Sequence, residues 1–207
     1  MKKTLQFTFL FFIALIAFTA FQVKLHQDDP VYKTGDIIFQ NSHSSQSEAI
    51  KLATHSKFSH VGVIVIKNKQ PFVLEAVEPV SLTPLKKWIA RGDQSYYEIK
   101  RPKQNLPSTP AIQKKLDSLQ NIYLSKHYDV PFQWTDDKLY CSELVWKLYQ
   151  KVYGIELCAT RQLKDFDLSN PLVQMALQQR YGKDIPMDEQ VVSPEDLYQS
   201  TVLKSIK

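Results

Sequence analysis

The chain predicts an α+β fold, and three observations carry the prediction. Short runs rich in β-branched residues lie between Ile37 and Arg101. Two of them, on either side of a polar turn, read as an antiparallel hairpin. Stretches with helical spacing and clear start and stop signals flank the strands at both ends.

Thr34-Gly35-Asp36 leads into Ile37-Ile38-Phe39, the first strand. Ser45-Gln46-Ser47-Glu48 has the capping-box pattern, so a helix follows to about His55. Phe58 to Ile66 is a strand rich in β-branched residues, 67–70 a polar turn, and Phe72 to Val77 the returning strand. Thr83-Pro84 reads as a helix cap and first helical residue, with Gly92 as the stop. Tyr96 to Arg101 alternates as a strand. Ser108-Thr109-Pro110 opens a helix with Ile112, Leu116, Leu119 and Tyr123 on one stripe. Residues 127–138 are irregular and aromatic. Cys141 to Tyr153 is a long helix stopped by Gly154. Asn170-Pro171 and Ser193-Pro194 start two more.

The 207 residues suit one domain with a real core, and 43% hydrophobic and 23% charged residues are ordinary for a globular protein. The formal charge is +5, two units of which are Lys2 and Lys3. No Lys/Arg run marks a nucleic-acid partner. The mild positive charge serves solubility and contact with anionic surfaces. Residues 1–23 read as a signal peptide: Lys2 and Lys3 form a charged start, and Leu5 to Phe21 is almost wholly apolar. Membrane attachment through residues 5–21, without cleavage, is the alternative. Either way the expected location is exported, periplasmic or anchored facing the outside. Residues 24–33 are a polar lead-in, and 34–207 form the expected catalytic domain.

Cys141 is the most informative residue. It opens a helix, where the positive end of the macrodipole favours thiolate, the nucleophilic form. A His to take the proton and a carboxylate to hold that His would complete a site. His60 lies on the first hairpin strand. With the turn centred between Lys67 and Asn68, it falls directly across from Glu75, with Cβ atoms about 5 Å apart. A register shift of two keeps the pair diagonal on one face; a shift of one separates them. Gly62, two residues on, is expected to leave room above the sheet. Glu78 and Asp36 are substitutes for the third role. Plainer readings stand beside these: a buried inert thiol, a structural histidine and a solvent-facing carboxylate.

A second cysteine, Cys158, reads as a small buried hydrophobe. The helix from Cys141 to Val152 rises about 18 Å, which separates the two thiols unless the chain returns tightly. A zinc site from His55, His60 and a carboxylate lacks the spacing of known zinc motifs. No metal or organic cofactor is expected. Tyr128, thirteen positions before Cys141, is a candidate donor to a developing oxyanion.

Thr34-Gly35-Asp36-Ile37-Ile38-Phe39, Phe58-Ser59-His60-Val61-Gly62, Leu74-Glu75-Ala76-Val77 and Tyr140-Cys141-Ser142-Glu143-Leu144-Val145 resemble the YiiX-like family. That family is a branch of the circularly permuted papain-fold enzymes within the NlpC-type superfamily. The resemblance spans about residues 34–200 and includes Asp165 to Pro171 and Val192-Ser193-Pro194. It implies a permuted papain-like fold with an antiparallel sheet against helices, and the triad Cys141, His60 and Glu75. By analogy with NlpC-type enzymes it places Tyr128 at the oxyanion site. Three function classes follow: an amidase or peptidase acting on peptide-like envelope substrates, a lipid-directed acyl hydrolase, thioesterase or acyltransferase, and a catalytically silent binding module.

Overall fold

A computed structural model describes residues 32–207 apart from Ser44. The expected signal peptide and nearly all of the lead-in lie outside the described residues. Tyr32–Lys207 is a compact unit built on a six-stranded antiparallel sheet with helices on both faces, an α+β fold. Its strands are β1 (Ile37–Ser42), β2 (His60–Lys67), β3 (Gln70–Glu75), β4 (Ser81–Pro84), β5 (Gly92–Pro102) and β10 (Leu203–Ser205). They lie in the order β10-β5-β1-β2-β3-β4. The helices are α1 (Ser45–Thr54), α2 (Leu85–Arg91), α3 (Pro110–Tyr123), α4 (Cys141–Tyr153), α5 (Pro171–Tyr181) and α6 (Pro194–Tyr198).

Strand alternation divides the core between the two faces. Ile37, Phe39, Val61, Val63, Val65 and Leu74 face the larger cluster, which includes Leu144, Val145, Leu148 and Val152 of α4. Ile38, Ile64, Val73 and Ile99 face the smaller one, closed by Leu85 and Trp88 of α2. The buried stripe of α4 begins at Cys141, as its spacing predicts.

The hairpin register differs from the expected one by two residues. Val63 pairs with Leu74 and Lys67 with Gln70, so the loop is Asn68-Lys69, both at positive φ (50° and 63°). Two left-handed residues suit the right-handed twist of the flanking strands. Carrying that register onward sets Gly62, not His60, across from Glu75. His60 and Glu75 are diagonal neighbours on one face. Gly62 does not open space there: an added Cβ would lie 2.4 Å from Val73 Cγ1 and 2.9 Å from the Leu74 carbonyl oxygen. Its missing side chain lets β3 come close.

Other boundaries also move. Thr83 does not cap a helix. Thr83 and Pro84 end β4, Pro84 is the residue before α2, and no side chain caps that helix. Gly92 stops α2 but runs straight into β5 with extended backbone. Ser45 is already the first helical residue rather than the residue before the helix. Within 127–138, His127-Tyr128 (β6) pairs in parallel with Lys138-Leu139 (β7). Arg161-Gln162 (β8) pairs with Gln190-Val191 (β9). Thr109, Asn170 and Ser193 each accept a backbone N–H at the starts of α3, α5 and α6.

Candidate active site

Cys141 is the first residue of α4 and 4% exposed. The helix is held at this end by its own third residue: Glu143 accepts the Tyr140 backbone N–H at 3.2 Å. The preceding Tyr140 is buried, and its hydroxyl accepts the Val192 N–H at 3.2 Å. The Cys141 N–H, at the first helical position, has no intrahelical acceptor.

His60 is the first residue of β2, so its ring lies at the end of the sheet. There it can meet residues from both faces. Its Nε2 is 2.6 Å from Glu75 Oε2, and its ring stacks at 5.9 Å on Trp88. Cys141 lies close enough to act on the same ring. Burial opposes charge on the imidazole, but Cys141 and Glu75 together outweigh it and raise its pKa to about 9.

Glu75 ends β3 and is wholly buried. Besides His60, it accepts Thr83 Oγ1–H at 2.6 Å, Trp88 Nε1–H at 2.9 Å and an Arg91 guanidinium N–H. Burial alone would favour its protonated form. The His60 bond and charge, with Thr83 and Arg91, reverse this and lower its pKa to about 2. It is a carboxylate with its lone pairs occupied, and it fixes the imidazole by contact and charge.

The structure gives the proposed substitutes other partners. Asp36 takes Arg101 in a two-point contact, Nε at 2.6 Å and Nη2 at 2.8 Å. Glu78 is exposed and accepts from the Tyr128 N–H while pairing with His127. His55 pairs with Asp167 at 3.3 Å, so the histidines of the conceived zinc site have separate partners. Among the described residues, no three or more His, Cys, Asp or Glu side chains gather as metal ligands. Cys141 and Cys158 are both free thiols. Burial raises the Cys158 thiol to about 12.

Tyr128 lies on β6, whose register partner Leu139 is two residues before Cys141. Its hydroxyl accepts Gln46 Nε2–H at 2.8 Å. That contact uses an oxygen lone pair and leaves the phenolic proton free to be donated. Burial, and then the nearby Cys141 charge, push its pKa up, so the proton stays in place. Gln46 was not marked by the sequence, where it reads only as a first-turn residue of α1. Thr83, Trp88 and Arg91 were likewise unmarked, because their role depends on β4 and α2 folding over β3. Beside Cys141, a cavity of about 90 Å³ runs between α1 and α5.

The family model of the permuted papain-like amidases, YaeF/YiiX, matches residues 31–207. YiiX of Escherichia coli K12, an uncharacterized protein, is 50% identical over 174 residues, covering 84% of this chain and 85% of its own. A crystal structure of YiiX from Escherichia coli O157:H7, described as a metalloprotein, superposes with a TM-score of 0.80 at 51% identity, covering 84% of this chain and 96% of that one. The residues here do not fit a metal: Glu75 Oε2 already accepts from His60, Trp88 and Arg91, and among the described residues no three His, Cys, Asp or Glu side chains gather on one point. With His and Glu on strands that precede a Cys-bearing helix, the chain belongs to the YaeF/YiiX, or C92, family of permuted papain-like amidases.

Proposed function

We propose that the chain is a cysteine hydrolase that cleaves an amide bond through an acyl-cysteine intermediate. The observation that carries this reading is the series Cys141, His60 and Glu75, with the carboxylate buried and the imidazole raised to about 9. With its pKa raised to about 9, His60 carries at neutral pH the proton that the leaving amine needs, and Cys141 is the nucleophile.

Attack of the sulfur on the carbonyl carbon forms a C–S bond and an oxyanion. The Cys141 N–H and the Tyr128 hydroxyl are the donors that meet that oxygen. His60 then gives its proton to the amide nitrogen, the C–N bond breaks and the amine leaves. Water, deprotonated by His60, attacks the thioester and frees the acid and the sulfur. Glu75 holds the ring through both steps and stays ionised. Residues 1–23 support a site of action outside the cytoplasm, on an envelope substrate.

Labelling of the two thiols with iodoacetamide at pH 7 tests the core of this reading. Cys141 should react much faster than Cys158, and His60→Ala should slow it several-fold or more while lowering turnover about a hundredfold. Equal rates for the two thiols, or unchanged labelling in His60→Ala, would remove the enzyme reading.

A further inference from the structure

Among the described residues, Arg180 is the only charged side chain that lines the cavity beside Cys141. It sits half-buried in the last turn of α5. A cation there suits the helix-end carbonyls, but that leaves its hydrogen-bond donors without an assignment. The guanidinium lies over the Phe132 ring at 3.9 Å, and its buried Nε has no hydrogen-bond partner. The hydroxyl of Tyr181 is the one acceptor it meets, and that hydroxyl donates its own proton to the Pro131 carbonyl. Asp129 acts on Arg180 without pairing with it, and its Oδ2 accepts the Gln133 N–H at 2.6 Å. Glu189 accepts the Trp134 N–H at 2.7 Å. Phe132, beneath the guanidinium, holds φ at 52°, a backbone conformation that bulky residues rarely take and that persists where the surroundings impose it. Its ring packs at 4.9 Å on Tyr140, the residue before Cys141. Arg180 and Cys141 both act on the Tyr128 hydroxyl. Arginine, thiol and expected oxyanion donor thus share one neighbourhood. A guanidinium with open donors binds a carboxylate through two parallel N–H bonds, and a neutral substrate would leave those donors short of acceptors as it displaced water.

We infer that Arg180 receives a carboxylate of the substrate in a two-point contact, so that the scissile amide belongs to a molecule with a negative charge a few bonds from its carbonyl. This inference rests on the acyl-cysteine reading above and names the substrate class for it, an acidic amide. Amides of N-acyl amino acids and half-amides of dicarboxylic acids are of that kind. The carboxylate takes no part in bond making. It sets which amides reach the sulfur and in what orientation, which makes Arg180 a specificity-determining residue.

The test uses alkylating agents in pairs that differ only in charge. Iodoacetate and iodoacetamide differ at the reacting end; iodoacetylglycine and iodoacetylglycinamide carry the same difference farther out. The rate of each on Cys141 and Cys158 is read by peptide mass spectrometry, and an acid-to-amide ratio is taken for each thiol. Arg180→Gln should lower that ratio at Cys141 about tenfold for at least one pair and leave it unchanged at Cys158. Arg180→Lys keeps the charge without the planar donors and should recover only part of the loss. Because both thiols belong to one preparation, a partly unfolded fraction shifts them together. An unchanged ratio at Cys141 for both pairs in Arg180→Gln would overturn the inference. So would an equal fall at Cys158, or full recovery in Arg180→Lys, which would reduce Arg180 to a distant charge. The neutral reagents separate this inference from the reading beneath it. Iodoacetamide labelling Cys141 much faster than Cys158, with no effect of Arg180 on the ratio, would overturn the inference and keep the cysteine hydrolase. Equal rates for the two thiols would remove both.

Discussion

Glu75 and Glu143 are both wholly buried carboxylates, yet they are driven in opposite directions. Glu75 is lowered to about 2 and Glu143 raised to about 8. Burial favours the neutral form at both sites, so burial does not decide the outcome. The partners decide it. Glu75 accepts from His60, Thr83, Trp88 and Arg91, two of which carry positive charge. Glu143 has the Tyr140 N–H at 3.2 Å and Lys147 at 2.8 Å. That lysine also serves Asp136, at 2.9 Å, and Asp136 is itself lowered to about 2. One region of the molecule is organised to hold a negative charge beside an imidazole. The other uses a carboxyl group as a helix-end acceptor for which charge is not required.

Replacing Glu75 with Gln should break this contrast with the largest effect. The amide keeps the shape but presents N–H groups to donors and removes the counter-charge of His60 and Arg91. Breaking a buried pair of this kind costs about 3 kcal/mol, or a fall in Tm of about 10 °C for a chain of this size. Turnover should fall as the imidazole loses its anchor, with the fold retained by circular dichroism. Full turnover in Glu75→Gln would remove Glu75 from the site.

Thr83→Val is a finer cut. It removes one hydrogen bond to a buried carboxylate and should cost about 1.5 kcal/mol, read by urea unfolding, with a smaller loss of turnover than Glu75→Gln. Equal stability to the wild type would mean that the remaining donors suffice.

Glu143→Gln should be the one change of the three that raises stability at pH 7, because the native carboxyl is held largely protonated there while the unfolded carboxyl ionises, a cost that the amide does not carry. Its signature lies in pH dependence. A folded pKa raised above the unfolded value gives stability that is present below about 4.5 and lost as pH rises through 8. His60, also raised, loses its contribution as pH rises from 6.5 through about 9. Glu75, lowered, loses its own as pH falls from 4.5 through about 2. Melting curves at pH 5 and pH 8 should therefore show a smaller fall in Glu143→Gln than in the wild type. Equal falls would show that Glu143 titrates as an ordinary carboxylate.

The parts of the fold that were legible in the sequence are those governed by short-range chemistry. The starts of α3, α5 and α6 follow from a cap residue followed by proline, and the end of α4 from Gly154 in the left-handed region. The shared face of His60 and Glu75 was legible because a two-residue error in register preserves side-chain parity. The register itself was not. It depends on Asn68 and Lys69 both taking positive φ, and a lysine gives little sign of that. The partners of Glu75 were illegible for a different reason. Thr83-Pro84 has the local signature of a helix start, but pairing with β3 claims it as a strand end. Tertiary contact overrides the local signal, and the Thr83 hydroxyl turns to the carboxylate instead of the helix.

The order of the catalytic parts along the chain has a bearing on biosynthesis. The hairpin that carries the imidazole and its anchor, with the strand and helix that supply the other donors, spans residues 60–91 and leaves the ribosome well before the thiol at residue 141. Adjacent antiparallel strands joined by a two-residue loop pair within microseconds, whereas translation adds only about 5–20 residues per second. The nascent polypeptide thus has its imidazole and carboxylate within one local hairpin before the thiol of Cys141 has been made.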